Sequence, residues 1–213
     1  MNLSTFIYIV LVMSIPYFWY IRFSTNPKKG FSILFIGIIS VILLIDFNLF
    51  ALLGFLLLAS VLIHSNNSIS TFSIFLSFLI LITQLFNKLE GNLIINILPI
   101  TLISGIFSLM MIGHWFLVDP TISREGMKNI AKSSIFTATL LCLLLFLGLF
   151  SDEISIFYRN IILGLYISSG ILSLGSLKSL NEKSYTGVMA ATGLSYLSLL
   201  VSLGGTGTLI LLP

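Results

Sequence analysis

FSILFIGIISVILLIDFNLFALLGFLLLASVLIH, residues 31 to 64, is a nearly continuous apolar run of 34 residues. As one helix it would be about 51 Å long at 1.5 Å per residue, far beyond a hydrocarbon core of about 30 Å. Its densest polar interruption is Asp46-Phe47-Asn48, two polar residues in three. The run therefore reads as two short helices, 31–46 and 49–64, joined by a tight hairpin.

Six further apolar stretches flank this pair, at 4–21, 71–87, 94–118, 131–150, 157–177 and 185–204. Each suits a membrane crossing. Composition agrees. The 213 residues are 57% hydrophobic and 8% charged, with a mean hydropathy of +1.14. A water-facing domain carries about 25% charged residues. The expected fold is all-α, a polytopic transmembrane helical bundle of about eight spans, with residues 1–213 forming a single integral membrane domain. The ten-residue alternation of a membrane barrel is absent. MNLSTFIYIV lacks a basic n-region and a small-residue cleavage site, so it reads as a retained first helix.

Charge placement tests the count. With the N-terminus outside, the loops after spans one, three, five and seven face the cytoplasm. They hold Arg22, Lys28, Lys29, Arg124, Lys128, Lys132, Lys178 and Lys183, and only Lys88 and Arg159 fall outside. Eight against two is a positive-inside bias. A seven-span chain would split these cations between both faces. Both termini then lie outside, in a cell (inner) membrane of bacterial type. The ten cations are scattered and form no cluster, so the net charge of +3 points to membrane orientation and not to nucleic acid. The expected surroundings are the lipid bilayer and other membrane subunits. Cys142, the single cysteine, makes no disulfide within the chain.

All loops are short; the longest, DPTISREGMKN, has about a dozen residues. No nucleotide-binding loop, HExxH or GxSxG is present. STNPKKG and VDPTISREGMK both follow a tryptophan and begin with a polar residue and proline, as in a 4+4 repeat. Pro16 late in span one and Pro99 early in span five argue against that repeat.

Four candidate sites follow. His64 and His114 end spans three and five at similar cytoplasmic depth, so they could hold one b-type haem from two sides. Their competing reading, the favoured one, is a belt of interfacial anchors with Trp19 and Trp115. Asp46 is an intramembrane acid, an ion site or proton relay, if the run is re-entrant; as a hairpin residue it marks an outer turn, the preferred reading. Asp119-Pro120 reads as a cap with proline at the first position of a short interfacial turn. Ser195, Ser198 and Ser202, with Gly170 on the preceding span, read either as a close helix–helix contact, which is favoured, or as a polar path. Arg159 is expected to snorkel outwards or to pair with Asp152 or Glu153. GGTGT, 204–208, is expected to end or break the last helix.

GHWFLVDP, residues 113–120, resembles a GHW(Y/F)LV-x-P stretch of uncharacterised bacterial multi-pass proteins of similar length. The resemblance covers about nine residues. It implies a membrane location and a reason for His114, and it transfers no activity. Three function classes stay open: a non-catalytic subunit or anchor of a membrane complex, with or without haem; a small transporter or channel component; and, ranked last, an intramembrane enzyme.

Overall fold

A computed structural model describes residues 3–25, 27–63, 67–88, 93–149 and 154–211. Among them every regular element is a helix: α1 (Leu3–Ser24), α2 (Lys29–Ile39), α3 (Val41–Ile45), α4 (Leu49–Ala59) with a 3₁₀ turn at Ser60–Leu62, α5 (Asn67–Lys88), α6 (Leu93–Phe116), α7 (Arg124–Phe146), α8 (Ile156–Asn181) and α9 (Tyr185–Leu211). Six are long and apolar enough to cross a membrane. Lys29–Ile45 and Leu49–Leu62 are apolar but shorter, about 25 and 21 Å at 1.5 Å per residue.

The run opens at the expected place. Asp46 ends α3 with a non-helical backbone (φ −148°, ψ 87°), and Asn48, which is extended, caps α4 by accepting the Ala51 N–H at 2.8 Å. A capping asparagine satisfies one of the free amides that every helix start leaves. Two expectations need correction. The helix that carries the sixth apolar stretch starts before 131, at Arg124. Its first turns are amphipathic, and Lys128 pairs with Glu125 at 2.7 Å on the solvated side. GGTGT neither ends nor breaks the last helix, since α9 runs to Leu211. Gly205 lies where a Cβ would come within 3.3 Å of Leu165 and Tyr166, so close helix packing, not chain reversal, accounts for this glycine.

The chain forms two compact units: Asn2–Gly91 with Asp119–Ser123, and Asn92–Val118 with Arg124–Pro213. In the first, α1 and α5 run antiparallel. Tyr8 meets Gln84 at one end, and Trp19, Arg22 and Phe23 share a cleft with Ser68, Thr71, Phe72 and Phe75 at the other. The hairpin packs on this pair. Ser77 of α5 donates to the Gly54 carbonyl at 2.7 Å, and Phe18 stacks on Phe35 with ring centroids 4.7 Å apart.

The second unit is a ring of four helices in which α6 touches α7, α7 touches α8, α8 touches α9 and α9 returns to α6. Its core holds Leu102, Ile106, Ala138, Leu141, Leu145, Ile162 and Tyr166. Gly148, with φ at +72°, carries the chain out of α7 in the left-handed conformation that glycine adopts without penalty.

Candidate functional site

A connected polar cluster lies in the first unit. Tyr8 O–H donates to Gln84 Oε1 at 2.7 Å. Gln84 Nε2 donates to Asn48 Oδ1 at 2.6 Å, and Asn48 Nδ2 donates to Asp46 Oδ2 at 2.8 Å. All three bonds point toward the carboxylate, so each polarises the next and the negative end falls on Asp46. Tyr8 lies five residues inside α1, and Gln84 lies four residues before the end of α5. At 1.5 Å per residue the turn is recessed about 6–8 Å from the ends of these helices. Asp46 is therefore a turn residue, but one set below the helix ends.

Gln84 is the only glutamine in the chain, and it is buried within an apolar helix. An amide in hydrocarbon requires a partner, and that rule is the signal by which this cluster could have been found. Two of the links join positions 76 and 36 residues apart, so no local pattern shows them.

The serines of α8 and α9 form a second cluster. Ser198 Oγ lies 3.0 Å from Ser169 Oγ and 3.2 Å from Ser173 Oγ, and it donates to the Ser169 carbonyl at 3.1 Å. Ser176 donates to the Ala191 carbonyl and lies 3.4 Å from Ser195 Oγ. Tyr166 O–H and Thr206 Oγ1 meet at 3.0 Å. All of these side chains are buried. Ser202 bonds the Leu199 carbonyl of its own helix. Gly170 is not part of this seam; a Cβ there would face Ala138 of α7 at 3.6 Å. Of the four residues of the expected polar path, Ser195 and Ser198 lie on this seam, Ser202 bonds within its own helix and Gly170 faces α7.

His114 is exposed on α6. His64, its expected haem partner, lies outside the described residues, as do Asp152 and Glu153, the expected partners of Arg159. Among the described residues no group of three or more His, Cys, Asp or Glu could hold a metal. The neighbours of His114 hold the helix end together. Gly113 sits where a Cβ would overlap the Thr192 hydroxyl. Phe116 packs beside Tyr185 and beneath the Arg124 guanidinium, which is 5.2 Å from its ring centre. The Leu117 carbonyl accepts Tyr185 O–H at 2.6 Å. Trp115 Nε1 is buried without an acceptor.

Asp119 makes a turn, and no helix begins at Pro120. Its carboxylate accepts Thr121 Oγ1–H at 2.7 Å and the Thr121 N–H at 3.3 Å. It also accepts the Lys28 N–H at 3.1 Å, with Lys28 Nζ 3.8 Å away. The two proline-bearing loops therefore meet. Hydrogen bonds from Thr121, foremost, and from Lys28 hold the Asp119 carboxyl below its ordinary range despite its burial. A carboxyl depressed in the folded state contributes stability above its unfolded pKa of about 3.9, and that contribution is lost as pH falls through the lower folded value. Amide protection in 119–123, taken relative to the intrinsic exchange rate at each pH, is expected to fall on acidification below about pH 4. Asp119→Asn should exchange fast already at neutral pH and show a flatter acid response. An unchanged acid response in that variant would place the titrating group elsewhere.

No protein-family model, no curated protein and no solved structure matches this chain.

Proposed function

We propose that the chain is a non-catalytic component of a membrane complex. It crosses a bacterial-type inner membrane eight times with both termini outside. The observation that carries this reading is the α8–α9 seam, whose buried hydroxyls spend their hydrogen bonds on one another and on backbone carbonyls. Polar groups used in this way fasten helices in lipid. The eight cations against two support the orientation. GHWFLVDP, through its likeness to other multi-pass chains, supports the membrane location.

Extraction from its own membrane in a mild detergent, followed by native mass measurement, tests this reading. The 23.5 kDa chain is expected to leave with a second polypeptide in fixed ratio. The chain alone, carrying only lipid, would overturn it. A Soret band in the same preparation, lost in His114→Ala, would add haem to the component's role.

The recessed hairpin favours a second reading, a small transporter component. Short paired helices with polar residues at their junction mark ion sites in transporters, and a carboxylate set within the membrane is a candidate ion ligand. Ion flux into vesicles holding the purified chain, abolished by Asp46→Asn, would favour it over the first. The amides between Tyr8 and Asp46 suit a fixed, polarised site better than a proton relay, since a neutral amide does not take up and release protons at ordinary pH.

A further inference from the structure

The cleft between the end of α1 and the start of α5 has a volume of about 400 Å³ and is lined by Trp19, Arg22, Phe23, Ser68, Thr71, Phe72 and Phe75. Its chemistry is two-sided. Arg22, in the last turn of α1, donates through one nitrogen to Ser32 Oγ at 2.7 Å, which leaves most of the guanidinium fork for another acceptor. Among the described residues no carboxylate lies within ion-pair distance of it. The Trp19 ring lines the cleft beside Arg22. Ser68 and Thr71 stand on the first turns of α5, where a helix start favours negative charge. Phe23, Phe72 and Phe75 are half or more exposed and form the apolar wall.

We propose that this cleft binds the phosphate of an anionic lipid. Arg22 takes the phosphate oxygens, and the phenylalanines carry the first part of the acyl chains. Guanidinium recognises phosphate oxygens through paired N–H donors, and basic pockets between membrane helices take anionic headgroups. The three exposed phenyl rings argue for a lipid over free phosphate, because an inorganic anion leaves them uncovered. The site needs α1 and α5 to lie in a bilayer, and it does not depend on the chain being part of a complex.

Native mass titration of the full chain in neutral detergent tests this, with phosphatidylglycerol, phosphatidylcholine or inorganic phosphate added in turn. Phosphatidylglycerol is expected to bind at least about fivefold more tightly than phosphatidylcholine, the effect of one interfacial arginine on an anionic lipid. Arg22→Gln should erase that preference. Arg22→Lys keeps the charge and removes the paired N–H donors, so it should weaken phosphatidylglycerol binding while helix content and elution stay unchanged. It serves alone if Arg22→Gln does not fold. Equal binding of the two lipids, or an undiminished preference in a folded variant, would overturn the site. Inorganic phosphate binding as tightly as phosphatidylglycerol would overturn its lipid identity.

Discussion

Gly113→Ala should destabilise the second unit by about 1–3 kcal/mol, the usual cost of overpacking a close contact. Thr192→Ala in the same chain should return most of it. Replacing a helical glycine with alanine normally gains up to about 1 kcal/mol, so the sign itself is informative. Here the new methyl group would overlap Thr192 Oγ1 and come within 3.3 Å of Thr192 Cβ and of Met127 Cε. Thr192 is β-branched, and its hydroxyl already bonds the Val188 carbonyl of its own helix at 2.8 Å. Its rotamer is therefore held, and it cannot swing clear cheaply. Removing that hydroxyl leaves the Val188 carbonyl in its helical bond. Thr192→Ala alone should then lie within about 0.5 kcal/mol of wild type, as for a change that opens no large cavity. Thermal unfolding in detergent would read the cycle. A coupling of at least about 1 kcal/mol is expected for residues in contact; additive effects would mean that α6 and α9 do not approach through Gly113.

Asn48→Ala should cost the first unit about 2–4 kcal/mol. Loss of an N-cap accounts for about 0.5–2 kcal/mol. The rest comes from Gln84, whose buried amide would lose its acceptor at a cost of about 1–3 kcal/mol. Asn48→Ser keeps a hydroxyl for the Ala51 N–H but does not reach Gln84, so it should recover about 1 kcal/mol, the value of the cap. Gln84→Leu removes the buried amide but takes the Gln84 acceptor from the Tyr8 hydroxyl, so it too should destabilise the first unit, while leaving the Asn48 cap in place. If Asn48→Ala and Asn48→Ser matched wild type in thermal unfolding, the hairpin would be held by apolar packing alone.

Much of the helix pattern was legible, and for a simple reason. In a chain that is 57% hydrophobic, a polar pair such as Asp46 and Asn48 cannot continue a buried helix without partners, so it marks a turn. The misreadings have equally physical causes. Hydropathy placed the start of the sixth stretch at 131, but charged residues at helical spacing extend α7 back to Arg124. Glycine-rich GGTGT resembles a helix end in isolation. Here Gly205 and Thr206 face Tyr166, and tertiary packing overrides local propensity. The candidate sites were less legible. Ser195 and Ser198 sit in a helix contact that their spacing foretold, whereas Gly170 points to another neighbour. Asp46 stands out in the sequence, but Tyr8 and Gln84 do not, because their links to it run between distant parts of the chain. From sequence alone Trp19 reads as an anchor and Arg22 as an orienting charge. Their shared cleft with α5 needed the antiparallel pairing of α1 and α5 to become visible.

The direct test of the proposed topology is the sidedness of the hairpin. Single cysteines at Phe47 and Lys29, in a Cys142→Ser background, would be exposed in turn to a membrane-impermeant maleimide on intact cells. Phe47 is an exposed turn residue, and Lys29 opens α2. Phe47→Cys is expected to label from outside and Lys29→Cys only after the membrane is opened. Labelling of both from the same side would contradict an eight-span chain with its N-terminus outside, and would leave residues 29–62 entering and leaving the bilayer without crossing it.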